Sequence, residues 1–288
     1  MKPANLTAIF ATADATTRAA AGTVKSLETT SGAVPRHAGS LLRDLRMRAH
    51  VSQLSLSLRV GVSQRHLSCI ETGKAVPSRD MLLALLDGLD ASLGQRNEAL
   101  LAAGYAPAFG NRPIGHADMQ SINEVIDLML KAQPDTPAMV LDSEWNLIKF
   151  NAAFVRLLNL LEFDPVALQA SPNLLLAMTA PGGLASRLIN RSEVLGEVLR
   201  RAQREAAHVP SLQSLVSQIP RALFDECKPP KSFESPTLLA RFSSSAGPLS
   251  FMSTFTSFGA PLDVTVASLR IEHLFAVDDV TRKALAGG

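Results

Sequence analysis

Cysteine is scarce in this chain: Cys69 and Cys227 are the only two among 288 residues. They stand far apart, without metal-ligand spacing, which excludes a disulfide framework and a compact zinc site and fits a reducing compartment. The six histidines are scattered, so the sequence offers no metal motif. No window reaches the roughly 18 uninterrupted apolar residues that a membrane span requires. The opening MKPANLTAIFATADATTRAAAGTV starts basic, but Asp14 and Arg18 interrupt it before a secretory apolar segment forms. From Ala138 onward there is no GxGxxG, GxxxxGK or GxSxG pattern. The expectation is a cytoplasmic protein with no membrane association, no catalytic residues, no bound metal and no cofactor.

What the chain does contain is enough apolar material for real cores, 47% of its residues, and a length suited to two domains. Its net charge of +2 hides a strong local imbalance. Between Gly39 and Arg79, seven basic residues (Arg43, Arg46, Arg48, Arg59, Arg65, Lys74 and Arg79) face only Asp44 and Glu71, an excess of five that leaves the remainder at −3. The positive field therefore belongs to one short region.

That region is built from short helical patterns. Residues 1–38, rich in Ala, Thr and Ser, read as a flexible tail. Helical periodicity then runs to about Leu101 and ends at AAGYAPAFGNRPIG, where Gly and Pro mark a linker over 107–117. In VSQLSLSLRVGVSQRHLSCIETGKAVPS, Ser52 caps a helix from Gln53 to about Val60 and Ser63 caps the next, from Gln64 to about Thr72. Gly61 between them permits the positive φ of a helix-turn-helix corner. Leu54, Leu58, Val62, Leu67 and Ile70 are the expected buried set, with Gln64, Arg65, Ser68 and Cys69 on the opposite face.

Ser52-Gln53, Gly61-Val62-Ser63-Gln64 and Ile70-Glu71-Thr72-Gly73-Lys74 resemble the XRE, or lambda-repressor and Cro-like, helix-turn-helix family. The likeness spans Gly39 to Tyr105, a domain taken as 39–106, and implies an all-α five-helix fold, with Asp80 to Leu89 and Arg96 to Ala102 as its last two helices. Ser55 to Ser57 depart from the family's acidic-Leu-Ala. The resemblance implies that the helix from Gln64 enters the major groove of double-stranded DNA. Gln64, Arg65 and Cys69 then face base edges with His66 and Ser68 beside them, and Gln53, Ser63 and Lys74 touch phosphates. Arg46 is expected to pair with Glu71. One such domain buries too little surface for tight operator binding, so a homodimer on an inverted-repeat operator is expected. A small helical bundle used only for protein contacts is the plainer alternative.

The remainder, 118–280, reads as α+β. Ile122, Val125, Ile126 and Met129 lie at helical spacing; Ala138 to Leu141 and Leu147 to Phe150 read as a hairpin, and AAFVRLLNLL as a helix. Pro172 to Phe224 is helical with breaks at TAPGGL and His208 to Pro210, CKPPKSFESP is a loop, and PTLLARFSSS, GPLSFMSTFTSF and VASLRIEHLFAV alternate as strands. The sum is an antiparallel sheet of about five strands with helices inserted between the second and third, followed by a tail at 281–288.

WNLIKFNAAFVRLL, PNLLLAMTAPGGLASRLINRSEVLGEVLRRAQREA and TFTSFGAPLDVTVASLRIEHLFAVDD resemble the ligand-binding domain of MmyB-like transcription regulators. That likeness implies a PAS-like module holding a small apolar acid, a fatty acid. Such a ligand needs an apolar wall and a partner for one carboxylate. Leu147, Phe150, Leu174, Met178, Leu184, Leu188, Phe251 and Phe255 are candidates for the wall, and Asn151, Arg187, Asn190 and Arg191 for the head group. Ordinary core packing and solvated helix faces are the plainer readings of the same residues, and the alternative for the whole domain is a ligand-free dimerisation or docking module. Trp145, the one tryptophan, is expected to anchor the hairpin against a helix.

Overall fold

The computed structural model describes residues 37–163, 172–227 and 237–286. The expected tail up to position 36 and nearly all of the loop CKPPKSFESP (228–236) lie outside the described residues. The chain divides into two compact units, one running through Pro113 and including Ala260–Ala267, the other made of Ile114–Gly259 and Ser268 onward.

The first unit has the expected five helices: α1 (Ala38–Arg48), α2 (Gln53–Val60), α3 (Gln64–Glu71), α4 (Arg79–Asp87) and α5 (Leu93–Ala102). Each begins at a side chain that accepts an otherwise orphaned N–H: His37, Ser52, Ser63, Ser78 and Ser92 in turn. Leu42, Leu56, Leu67, Ile70, Leu82, Leu85, Leu86 and Leu100 fill the core. Two expectations need correction here. Leu54 and Leu58 are exposed, at 53% and 73%. The bond from Gln53 to Glu71 turns the helix so that Gln53, Leu56, Ser57 and Val60 share the inward stripe, and Ser57 is the small buried residue on it.

The segment 107–117 is less free than a linker. Asn97 holds it, donating to the Phe109 carbonyl at 2.9 Å and accepting from the N–H groups of Ala108 and Phe109. Gly110 forms a bridge with Asp263, its carbonyl accepting from Val264 N–H at 2.7 Å, while Asp263 also pairs with Arg112.

The second unit is a five-stranded sheet, all antiparallel, in the order β2-β1-β5-β4-β3. Its strands are β1 (Ala138–Leu141), β2 (Leu147–Phe150), β3 (Leu239–Ser244), β4 (Gly247–Ser257) and β5 (Arg270–Ala276). Helix α6 (Gln120–Lys131) precedes them. Between β2 and β3 come α7 (Ala152–Leu160), α8 (Leu174–Thr179), α9 (Arg191–Ala206), α10 (Pro210–Gln218) and α11 (Arg221–Glu226). One sheet face carries Met139, Leu141, Phe242, Leu249, Phe251 and Leu274 into a core with the inserted helices. The other carries Ala138, Val140 and Ile271 against Ile126 and Leu130 of α6, whereas Val125 points outward.

Val266 to Ser268, read from sequence as the start of a strand, instead close the short helix α12 (Val264–Ser268), and β5 begins only at Arg270. The expected tail at 281–288 is also corrected: α13 (Asp279–Ala286) buries Thr281 and Leu285. Asp278 accepts from Thr281 N–H to start that helix, and the Thr281 hydroxyl accepts from Ser250 N–H. A capped amphipathic turn at a chain end thus completes the core.

Gly39 of α1 lies where an added methyl would run into the Ile70 carbonyl of α3. Gly39→Ala is expected to lower the stability of the first unit by about 2 kcal/mol, as overpacking does, read as an earlier urea midpoint by circular dichroism. An unchanged midpoint would show that the two helices can separate without loss.

Candidate nucleic-acid interface and ligand site

The corner before α3 is set by three residues. Ser52 accepts from Ser55 N–H at 3.0 Å, Ser63 accepts from His66 N–H at 3.1 Å, and Gly61 between them has φ 75°. That left-handed conformation is open to glycine at little cost. Leu67 and Ile70 anchor α3 from below, both essentially inaccessible. Gln64, Arg65 and His66 are exposed on its first turn, with Ser68 and Cys69 half-buried behind them. Lys74 is exposed just past the helix, after the turn at Gly73 (φ 75°). The amides of Lys74 and Ala75 donate to the Cys69 carbonyl, which closes the helix end.

Arg46 and Glu71 form the expected bridge. The guanidinium grips the carboxylate with two bonds, Nε to Oε1 at 2.6 Å and Nη2 to Oε2 at 2.9 Å, and a third goes to the Val51 carbonyl. Both side chains are nearly inaccessible, at 8% and 1%. Gln53 also donates to Glu71, at 2.8 Å, so one of its two amide hydrogens is used in holding the core. Burial alone would raise the Glu71 carboxyl, but the bonds from Arg46 and Gln53 and the charges of Arg46 and Arg43 outweigh it and hold it below its ordinary value.

In the second unit, Leu147, Met178, Leu184, Leu188 and Phe251 are buried, with Phe150 and Leu174 packed beside them in one cluster. The other candidates are dispersed. Phe255 is 47% exposed. Asn151 caps α7 and bonds the backbone of Ala138 and Thr136; Asn190 bonds that of Leu239 and Arg241. Arg187 and Arg191 pair with Glu162 and Glu226 at the surface. Met178 and Arg191 share an open cleft of about 450 Å³ with Ile219 and Leu223, while Phe150 and Asn151 line another of about 410 Å³.

Sequence reading missed the most polar part of the inner sheet face. Trp145, at φ 68° and 2% exposed, donates its indole N–H to Glu205 of α9 at 2.7 Å, and so fixes the hairpin against that helix as expected. Glu205 also accepts from Arg201 and Arg270, each at 2.8 Å. Arg270 lies over the indole, 4.6 Å from its centroid, and Arg201 lies over Phe255 at 3.8 Å. Burial would raise the Glu205 carboxyl, but the two arginines hold it below its ordinary value. Burial pushes Glu272, bonded by Ser253, above its own. The signal was present in LRIEHLFAV, where Arg270 and Glu272 have the parity of Leu274 and hence share its face.

A capped helix-turn-helix in one unit and, in the other, an antiparallel sheet with inserted helices define a DNA-binding regulator carrying a separate ligand-binding module. Comparison with known families agrees. Residues 37–99 match a helix-turn-helix domain, and residues 122–287 match the MmyB-like transcription regulator ligand binding domain. The second match covers more than half of the chain, which therefore belongs to that family. Among curated proteins no relative matches. Among the described residues, no helix is long and apolar enough to cross a membrane.

A carboxyl held below its ordinary value when folded stabilises the protein fully above that value, about 4.5 for Glu71, and loses the contribution as pH falls from there through the depressed value. Glu71→Gln is expected to cost about 3 kcal/mol at pH 7 by leaving Arg46 buried without its counter-charge. It should also flatten the acid-side loss of stability that wild type shows below pH 4.5 in urea titrations. Parallel acid slopes for the two proteins would assign that loss to other carboxylates.

Proposed function

We propose that this protein is a homodimeric, sequence-specific regulator that reads an inverted-repeat operator with α3 and binds a small apolar acid, of fatty-acid type, in a PAS-like second unit. The observation that carries the DNA half is the exposure of Gln64 and Arg65 on the first turn of a helix anchored from beneath by Leu67 and Ile70. Glutamine pairs with adenine and arginine with guanine, each through two hydrogen bonds. Cys69 faces base edges with them, His66 and Ser68 lie beside, and Gln53, Ser63 and Lys74 contact phosphates. Two such helices are needed for an affinity that one small domain cannot supply.

For the second unit, the antiparallel order β2-β1-β5-β4-β3 with helices inserted after β2 supports the PAS-like reading. Leu147, Phe150, Leu174, Met178, Leu184, Leu188, Phe251 and Phe255 are the proposed wall. Ligand can shift DNA binding only if it binds the operator-competent arrangement with a different affinity. The full burial of Leu249 and Phe251 in a packed interior favours a second reading, a docking or dimerisation module with no ligand. Native mass spectrometry of gently purified protein separates the two: a co-purifying mass in the fatty-acid range supports the first, a bare chain the second.

The DNA half is tested by selecting the operator from random duplexes and measuring gel-shift affinity. Wild type should weaken steeply with salt, by a log–log slope of about −0.9 per phosphate contacted. Arg65→Ala should lose about 1–3 kcal/mol of discrimination at one base pair in each half-site, with folding intact because Arg65 is exposed. Undiminished discrimination in that variant would remove α3 as the reading element.

A further inference from the structure

Arg270 presents an unusual combination. Its side chain is 12% exposed and carries one hydrogen bond, from Nη1 to Glu205, while Nε and Nη2 are buried and have no hydrogen-bond partner among the described residues. A guanidinium is a fixed fork of five N–H donors, and leaving two of its nitrogens without acceptors in a buried place is costly. Such a cost persists where an acceptor is to be received.

The surroundings favour an anion. Arg201, Arg270 and Glu205 gather at Trp145, and Glu272 lies within electrostatic reach of Arg270. Glu205 already accepts three bonds, from Trp145, Arg201 and Arg270. Glu272 is bonded by Ser253, and its burial favours the uncharged form. Both carboxylates of the set are thus already bonded, while Nε and Nη2 of Arg270 have no hydrogen-bond partner among the described residues.

Position supplies the rest. In the β4–β5 pairing Phe251 lies opposite Ala276 and Ser253 opposite Leu274, followed by Phe255 opposite Glu272 and Ser257 opposite Arg270. Directly opposed residues share a face, so along β4 and β5 the inner surface passes from Phe251, Ala276 and Leu274 at one end to Glu272 and Arg270 at the other, within one strand length. That is the profile of an apolar chain ending in a single charged group. The head-group candidates found from sequence do not match it, since Asn151 and Asn190 are committed to backbone groups and Arg187 and Arg191 to surface carboxylates.

We propose that Arg270, with Arg201 beside it, is the carboxylate-binding position of the second unit, taking the head group of an apolar acid whose chain lies toward Phe251 and Leu274. This rests on the reading of that unit as a receptor for such acids. Nε and Nη2 of Arg270 donate to the two carboxylate oxygens side by side, and the Trp145 ring forms the floor.

The only tryptophan of the chain sits in contact with the site, so its fluorescence reports occupancy directly. Full-length protein is titrated with dodecanoate and with dodecanol, which share a chain and differ in the charged group. Wild type is expected to bind dodecanoate at least tenfold more tightly than dodecanol. Arg270→Gln should weaken dodecanoate tenfold or more and leave dodecanol within twofold. If Arg270→Gln fails to fold, the two wild-type titrations and Arg201→Gln, expected to weaken dodecanoate alone, still decide the matter. Equal affinity of wild type for both probes, or dodecanoate binding indifferent to Arg270, overturns the head-group assignment while leaving an apolar-ligand site standing. Absence of binding by either probe overturns the assignment together with the reading it rests on.

Discussion

The presentation of α3 depends on an ion pair that solvent scarcely reaches. Arg46 belongs to the first helix and Glu71 to the last residue of the third, and their two-pronged contact, joined by Gln53 of the second, ties three helices at one point. Charges removed from water are stable only when fully partnered, so this junction tolerates few other arrangements of those helices. Leu67 and Ile70 supply adhesion beneath α3; the ion pair supplies direction. The fixed orientation of Gln64 and Arg65 on α3 needs both, because apolar contacts alone leave rotation about the helix axis weakly defined.

The second unit solves a related problem on a sheet. Its inner face is mostly Leu, Phe and Met, yet it also carries two arginines, a glutamate and an indole joined by hydrogen bonds, with a second glutamate bonded by Ser253. Trp145 reaches it with a left-handed backbone that a bulky residue adopts only when its surroundings hold it there. The Asp142 carboxylate, accepting from the N–H groups of Glu144 and Asn146, shapes the turn that makes this possible.

Much of this architecture was legible in the residues because local and global preferences agree. Ser52, Gly61 and Ser63 announce the corner, all five strands fall within the segments read as strands, and the breaks at TAPGGL and His208 to Pro210 separate the helices where expected. Errors arose where tertiary packing chose between equivalent stripes. Leu54 and Leu58 repeat with the same period as Gln53, Leu56 and Val60, and only the buried contact of Gln53 with Glu71 selects the second set. The site in the second unit was harder, since Trp145, Arg201 and Arg270 meet only when hairpin, helix and last strand converge. The exposed face of α3 was readable because consecutive residues on one helix form it.

The short run Ala260–Ala267 lies between the last two strands of the sheet, yet it packs with the first unit, where Asp263 and Val264 clasp Gly110 and Arg112. The helix-turn-helix unit is therefore discontinuous along the gene. A fragment cut after Pro113 would leave the Gly110 carbonyl and the Arg112 guanidinium without those partners, so the excised piece is a poorer stand-in for the native unit than its five intact helices imply. Recombination that swaps receptor modules at that boundary must carry a matching clasp, which ties the inheritance of the two units together.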